Sequence, residues 1–117
     1  MGKSSQRKGR AAERELAEIL CGYGYAAKPG RALNYGSEAD VIGLPGFHLE
    51  VKRCERLQLP AWIEQAERDA ERMQDGVPVV IFRQNRQPWR VCLKLSEFLS
   101  LLGKGTGEEQ AKNTLWR

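Results

Sequence analysis

The sequence predicts an α/β domain in which a mixed β-sheet carries helices on both faces. Two segments repeat apolar residues at three- and four-residue steps, which is the pattern of an amphipathic helix. A nearly continuous apolar run, Val77–Phe82, follows the second segment and is typical of a strand buried on both faces. The chain of 117 residues is expected to hold a single domain, residues 1–102, with a basic N-terminal arm at residues 1–8 and a flexible C-terminal tail at residues 103–117.

The first half of the chain is predicted to form one helix and three strands. The helix covers about Gly9 to Gly22, and glycines end its apolar stripe. Residues 25–31 form a short strand before a polar, glycine-containing loop. The apolar runs Asp40–Leu44 and His48–Lys52 flank a Pro-Gly pair, which is typical of a tight turn, and they therefore predict a hairpin.

The second half is predicted to form a helix, two strands and a short helix. The first of these helices begins at Pro60, because proline is favoured in the first helical turn, and it ends before Gly76. The buried strand follows, and then an alternating strand at Trp89–Leu93. The short helix covers Leu95–Leu102, with Ser96 as its N-cap.

Composition and cysteine usage set expectations for location. Hydrophobic residues make up 41% of the chain. No window approaches the roughly 18 uninterrupted apolar residues of a membrane span, and the N-terminus has no signal-peptide core, so membrane insertion and secretion are not expected.

Cys21, Cys54 and Cys92 include no C-x-x-C pair, and His48 alone could join them, so neither a disulfide framework nor a zinc site is predicted. Mostly buried free thiols and a cytoplasmic location are expected.

Basic residues exceed acidic ones and concentrate in particular parts of the chain. The counts are 19 Lys+Arg and 15 Asp+Glu, which give a net charge of +4. This excess fits either a solvated surface that keeps the protein in solution or a surface that binds nucleic-acid phosphates. The residues considered for phosphate binding are Arg7, Lys8, Arg10, Lys28, Arg31 and Arg53.

The hairpin carries charged side chains in strands that are otherwise suited to burial. Because side chains two residues apart share a face of a strand, Glu50 and Lys52 project together. Asp40 opens the partner strand, and the turn brings it towards Glu50. The resulting D-x9-E-x-K spacing has two interpretations: an exposed cross-strand ion pair, which is common and nearly neutral in energy, or a nuclease site.

Two carboxylates beside a lysine suit phosphodiester hydrolysis. Mg²⁺ prefers carboxylate oxygens and keeps several waters, so two acidic side chains are sufficient protein ligands. The ion polarises the phosphoryl oxygen and helps to generate hydroxide, while Lys52 would orient the attacking water or offset transition-state charge. Because adjacent carboxylates raise each other's pKa, a cation or Lys52 must be present to keep both Asp40 and Glu50 ionised.

Further polar positions border the apolar stripes of the predicted helices. Glu13 and Glu15 both flank the stripe of the first helix, so helical geometry does not choose between them as a third acid. Either would otherwise be a solvated partner of a basic side chain such as Arg14. Gln65 borders the stripe of the second helix beside Trp62, where it would hydrogen-bond a metal-bound water or simply face solvent.

Several short motifs occur together in this chain. They are K-G-R-A-A-E-R-E-L at residues 8–16, G-S and D-V within residues 36–41, and E-V-K at residues 50–52. Together they resemble the archaeal-type Holliday junction resolvases of the PD-(D/E)XK nuclease superfamily, over about residues 7–94. The resemblance implies a restriction-endonuclease-like α-β-β-β-α-β core and dependence on Mg²⁺ or Mn²⁺. It also implies a homodimer that presents two active sites to two strands of a DNA junction.

The resemblance further implies roles for individual residues. Those residues are Glu13, Asp40 and Glu50 as the acids that hold the metal, Lys52 as the catalytic lysine and Arg14 as a basic DNA-binding neighbour. Glu13 is thereby preferred to Glu15. The arginine that the family carries after its Gly-aromatic pair has two candidates here, Lys28 and Arg31, and Ala39 replaces the proline that names the superfamily.

The expected function is a metal-dependent endodeoxyribonuclease that cleaves branched DNA in recombination or repair. Its sequence preference would be slight, because phosphate contacts position a protein on DNA without specifying sequence. Two alternatives stay open: a nuclease of the same superfamily with another DNA substrate, such as phage DNA being processed, and a non-catalytic DNA-binding module. Asp40, Glu50 and Lys52 argue against the second, because a binder needs no carboxylates near phosphate. The expected location is the cytoplasm of a bacterial, archaeal or phage-infected host cell.

Overall fold

The computed structural model describes residues 2–30, 32–33, 36–37 and 39–103, with side chains described for residues 9–30 and 39–103. The described helices are α1 (Gly2–Gly22), α2 (Leu59–Met73) and α3 (Leu95–Leu101). The described strands are β1 (Lys28–Pro29), β2 (Ala32–Leu33), β3 (Gly36–Ser37), β4 (Val41–Ile42), β5 (Phe47–Arg53), β6 (Val77–Arg83) and β7 (Arg90–Cys92). None of these helices is long and apolar enough to cross a membrane.

A mixed five-stranded sheet forms the centre of the fold, as the sequence predicts. Its strand order is β1-β4-β5-β6-β7, and β2 and β3 form a separate two-stranded sheet. Strands β5 and β6 run parallel, from Phe47 paired with Val77 to Arg53 paired with Arg83, and the other neighbours in the large sheet are antiparallel. Helix α2 supplies the crossover connection that parallel pairing requires.

The two faces of the sheet carry separate apolar layers. The layer under α1 contains Ala12, Leu16, Ala17, Val41, Leu49, Val51, Val79 and Ile81. The layer under α2 contains Trp62, Ala66, Val80 and Phe82. Strand β6 therefore buries alternate side chains on both faces, as its continuous apolar sequence predicts. Strand β5 differs, because its α2 side carries two buried polar residues, His48 and Glu50.

The predicted hairpin is confirmed. Strand β4 pairs antiparallel with β5, with Val41 opposite Leu49. The first strand of this hairpin, β4, is shorter than the predicted Asp40–Leu44, because it ends at Ile42, directly before Gly43. This glycine has φ +108°, and a Cβ at this position would clash with the carbonyl oxygen of Ala26, so the backbone leaves the sheet where glycine alone fits.

Two predicted helix ends are wrong. Helix α1 begins at Gly2 rather than Gly9, because the lysines, arginine and glutamine of this segment favour a helix and a single internal glycine costs only about 1 kcal/mol. Ser96 is not the N-cap of α3. The capping position is Lys94, which has extended backbone angles and makes no side-chain capping bond, and Ser96 lies in the first turn.

The cysteines are free but less buried than expected. Cys21 is exposed in the last turn of α1, where its thiol donates a hydrogen bond to the carbonyl oxygen of Ala27. Cys54 and Cys92 are half-buried. Within the predicted tail, residues 104–117 lie outside the described residues.

Candidate active site

Asp40 is held by the backbone of the neighbouring strand. Its N–H donates a hydrogen bond to the carbonyl oxygen of Leu49 at 3.0 Å, and its Oδ2 accepts one from the N–H of Val51 at 2.8 Å. These two bonds flank Glu50, which is 3% exposed in the middle of β5. The structure therefore brings the two hairpin carboxylates together.

Lys52 lies two residues after Glu50 on the same side of β5. Its Nζ donates a hydrogen bond to Oε1 of Gln65 at 3.0 Å. Gln65 belongs to α2, which the buried ring of Trp62 anchors to the sheet. Helix α2 thus fixes the ammonium group at the same end of the sheet as the carboxylates.

The electrostatics of Asp40 show how closely the acidic groups approach. Burial raises the pKa of Asp40 to about 7, with the charge of Glu50 as the next cause and the charge of Glu13 as a smaller one. The hydrogen bond from the Val51 N–H opposes the shift. An ordinary aspartate has a pKa of 3.8, so this carboxyl group is only partly ionised near neutral pH.

Glu13 joins this group from helix α1. Burial raises the pKa of Glu13, and the charge of Glu50 adds to the effect, while the nearby charges of Arg10, Arg14 and Lys52 oppose it. Glu13 is half-buried, and the mutual charge effects place its carboxylate near Glu50 and Asp40. Three carboxylates and one lysine, carried by α1, by β5 and by the residue before β4, therefore converge on one site.

Glu15 has a different environment from Glu13. Its carboxylate accepts hydrogen bonds from Nη2 of Arg83 and Nε1 of Trp89, both at 3.1 Å. Burial alone would raise its pKa, but these two hydrogen bonds and the charges of Arg83 and Arg53 outweigh burial and lower it. Glu15 thus links α1 to β6 and to Trp89, which directly precedes β7. The structure separates two glutamates that helical spacing leaves equivalent.

His48 lies against Glu50, and the sequence reasoning does not place it in the site. Its Nε2 is 3.2 Å from Oε1 of Glu50, and its Nδ1 lies 2.8 Å and 2.9 Å from the two carboxylate oxygens of Asp75. Burial would lower the pKa of His48, but the hydrogen bonds and charges of the two carboxylates more than offset this and raise the pKa to about 9. Because His48 and Glu50 are two residues apart on one strand, the sequence contains a signal for their contact. No comparable spacing indicates the contact with Asp75.

His48, Glu50 and Asp69 form a second possible metal-binding group. One ligand atom from each lies within 4.8 Å of the others. Asp69 also forms an ion pair with Arg72, at 3.5 Å. The site therefore contains carboxylates from α1, α2 and the hairpin around Glu50.

The predicted phosphate-binding residues are not equally placed. Arg10, Arg14 and Lys28 have exposed side chains, and the two arginines act on the pKa of Glu13, so they lie near the site. Arg53 is less available, because its Nη1 lies 4.0 Å from Oε1 of Glu15 and its side chain is 28% exposed. Three candidates fall outside the described side chains: Arg7, Lys8 and Arg31.

Comparison with known proteins identifies the family. The family model described as "Phage putative PDDEXK endonuclease" matches residues 4–114. The chain belongs to this endonuclease family. Among solved structures, it is similar to the 1.6 Å structure of Archaeoglobus fulgidus Hjc, a Holliday junction resolvase from an archaeal hyperthermophile. The TM-score is 0.52 and the sequence identity 26%, over 72% of this chain and 70% of that chain.

The comparisons confirm the predicted superfamily and the restriction-endonuclease-like fold. The chain is therefore a nuclease of the PD-(D/E)XK type, and its substrate is a nucleic acid. A search of curated protein sequences found no significant match.

The acidic residues of this endonuclease fit a divalent cation. Asp40 and Glu50 offer oxygen atoms alone, which hard cations such as Mg²⁺ prefer. Burial and then the charge of Glu50 raise the pKa of Asp40, and a cation bound by both carboxylates would remove their repulsion. His48 is a poor ligand in the second group, because both ring nitrogens already face carboxylate oxygens, Nδ1 at 2.8 Å and Nε2 at 3.2 Å. The pair Asp40 and Glu50 is therefore the better-matched donor set.

Proposed function

We propose that the chain is an endodeoxyribonuclease that depends on a divalent metal and cleaves branched DNA, with four-way junctions as the preferred substrate. The observation that carries this proposal is the burial of Asp40 beside Glu50, because burial and then the charge of Glu50 raise the pKa of Asp40 to about 7. Two carboxylates that repel each other in this way destabilise the folded protein unless a cation binds to them. A non-catalytic DNA-binding module would gain nothing from such a pair, because carboxylates repel phosphate.

Asp40 and Glu50 would hold Mg²⁺, or Mn²⁺ in its place, and Glu13 would contribute as a third acid. When bound, the ion supplies charge stabilisation for the phosphoryl group and a water of lowered pKa. Lys52 donates a hydrogen bond to the attacking water or to a phosphate oxygen, and Gln65 keeps its ammonium group in place.

One feature supports DNA as the substrate, and a second supports a branched DNA structure. Arg10, Arg14 and Lys28 present exposed positive charge, and the two arginines lie close to Glu13. Such contacts grip phosphates without reading bases. The similarity to a Holliday junction resolvase supports selection by DNA shape. The proposal includes a role in recombination or repair, in the cytoplasm of a bacterial, archaeal or phage-infected host cell.

A homodimer would present two such sites to two DNA strands. The edge strand β7 and helix α3 carry exposed apolar side chains, which favour contact with a second copy of the chain. These side chains are Val91, Leu95, Phe98 and Leu101, together with Leu102 directly after α3, each between 47% and 68% exposed. Light scattering on the purified protein tests this assembly.

A second candidate is cleavage of another DNA during phage DNA processing, which the phage family favours. One experiment separates the two: cleavage of a labelled four-way junction, a matched duplex and a single strand, each with Mg²⁺ and with EDTA. Selective junction cleavage that requires Mg²⁺ supports the proposal. Equal cleavage of the linear duplex supports the second candidate, and binding of DNA without cleavage rejects both.

The matched controls for this experiment are Asp40→Asn and Glu50→Gln, which keep the shape of each side chain and remove its charge. Both variants are expected to lose cleavage and retain DNA binding. If either variant cleaves at the wild-type rate, that residue is not part of the site.

A further inference from the structure

We propose that His48, anchored by Asp75, is a positioning residue that holds one carboxylate oxygen of Glu50 so that the other is presented to the divalent cation. This inference rests on the proposed function. His48 would not touch the metal or the DNA, and it would act through the orientation of Glu50.

The contacts of His48 form a continuous chain from a turn to the site. Nε2 of His48 lies 3.2 Å from Oε1 of Glu50, and Nδ1 lies 2.8 Å from Oδ1 of Asp75. The side chains of His48 and Glu50 are 1% and 4% exposed, so water does not compete for these bonds. One oxygen of Glu50 is therefore occupied by the ring, and the carboxylate cannot rotate freely.

The turn between α2 and β6 fixes Asp75. Gln74 ends α2 in the left-handed conformation, with φ 51°, and its N–H donates to the carbonyl oxygen of Ala70 at 2.7 Å. Gly76 has φ +135°, and a Cβ there would clash with the backbone of Gly46. Because glycine alone fits this close approach, the backbone on both sides of Asp75 is constrained.

A purely structural role explains this arrangement less well. A buried ion pair contributes little stability compared with packed apolar residues, so stability alone gives no reason for His48 and Glu50 in the layer under α2. Carboxylates that bind metals are commonly oriented by hydrogen bonds from neighbouring side chains, and loss of such a partner typically weakens metal affinity. His48 has the contacts that this role requires.

The test is calorimetric titration of Mn²⁺ into metal-free protein without DNA. His48→Leu removes both contacts and is expected to weaken Mn²⁺ binding about 10- to 100-fold. His48→Gln retains a donor towards Glu50 and is expected to recover most of the affinity. Asp75→Ala changes a side chain that is 30% exposed, so it leaves the core intact, and it is expected to weaken binding severalfold. Glu71→Gln, an exposed charge change on α2, is the matched control and is expected to bind as wild type does.

Cleavage supplies a second readout that a structural role would not produce. With His48→Leu, the Mg²⁺ concentration for half-maximal cleavage should rise by the same factor as the Mn²⁺ dissociation constant, while the rate at saturating Mg²⁺ recovers. If the cleavage rate of His48→Leu stays low at every Mg²⁺ concentration, His48 does not act by positioning Glu50.

Other outcomes also overturn the inference. Equal Mn²⁺ affinity of wild type, His48→Leu and Asp75→Ala would show that the ring does not position Glu50. Loss of binding in His48→Gln as complete as in Glu50→Gln would make His48 a metal ligand instead. Wild-type protein that binds no Mn²⁺ would refute the proposed function itself, and this result is read from the wild type alone.

Discussion

Nζ of Lys52 in β5 donates a hydrogen bond to Oε1 of Gln65 in α2 at 3.0 Å, which joins the sheet to the helix at the candidate site. Gln65→Ala should lower the single-turnover cleavage rate roughly 10-fold, as expected when the partner of a site residue is lost. DNA affinity should be unchanged. Gln87→Ala, in an exposed turn, is the control. An unchanged rate in Gln65→Ala would mean that Lys52 needs no partner.

Asp40→Asn should stabilise the metal-free protein above neutral pH. The pKa of Asp40 rises from its ordinary value of 3.8 to about 7 in the folded protein. The protonated carboxyl group therefore contributes to stability below pH 3.8, and this contribution is lost as the pH rises through about 7. Asparagine keeps an oxygen for the Val51 N–H and carries no charge. Thermal unfolding in EDTA should therefore show a higher midpoint for Asp40→Asn above pH 7 and little difference at low pH. A lower unfolding midpoint of Asp40→Asn at all pH values would contradict the repulsion between the carboxylates of Asp40 and Glu50.

Glu15→Gln should reduce stability and leave the catalytic site intact. The change weakens the bonds to Arg83 and Trp89, so the free energy of unfolding should fall by about 1 kcal/mol, measured by urea unfolding. Because the pKa of Glu15 is lowered from 4.5, this stabilisation is present above pH 4.5 and is lost as the pH falls through the lower folded-state value. Glu18→Gln, at an exposed position of the same helix, is the control.

The same change at Glu13 should affect cleavage rather than stability. Glu13→Gln should reduce cleavage and leave stability equal or greater, because burial and the charge of Glu50 raise the pKa of Glu13. If Glu15→Gln abolished cleavage without loss of stability, Glu15 would be the site acid.

Arg14→Gln should weaken DNA binding to a similar extent on all sequences. Its exposed guanidinium lies near Glu13 at the candidate DNA surface. Loss of one phosphate contact should reduce the slope of log affinity against log salt concentration by about 0.9. Arg68→Gln, on the exposed face of α2, should leave the slope unchanged, and an equal effect of both changes would argue against a localised surface.

The hairpin and its charged residues could be predicted from the sequence because they depend on local rules. A Pro-Gly turn pairs the two strands, and alternation along β5 puts Glu50 and Lys52 on one side. The same alternation explains why His48 contacts Glu50, although the sequence reasoning considered this histidine only for a zinc site.

Other parts depend on contacts between distant segments. Asp75 meets His48 across 27 positions, and Glu15 meets Trp89 across 74, so no spacing rule reveals either contact. The difference between Glu13 and Glu15 appears only once α1 is packed against the sheet. The sequence pattern does not reveal that α1 begins at Gly2, because a glycine within a helix costs little when its neighbours favour the helix.

The most direct test of the central claim is single-turnover cleavage of a labelled four-way junction by the full chain at increasing Mg²⁺ concentrations. Wild type should cleave with a saturable dependence on Mg²⁺ and should be inactive in EDTA. Asp40→Asn and Glu50→Gln should bind the junction at least as tightly as wild type does, because each removes a negative charge near phosphate, yet cleave none of it. Cleavage in EDTA, or cleavage at the wild-type rate by either variant, would contradict a catalytic metal held by Asp40 and Glu50.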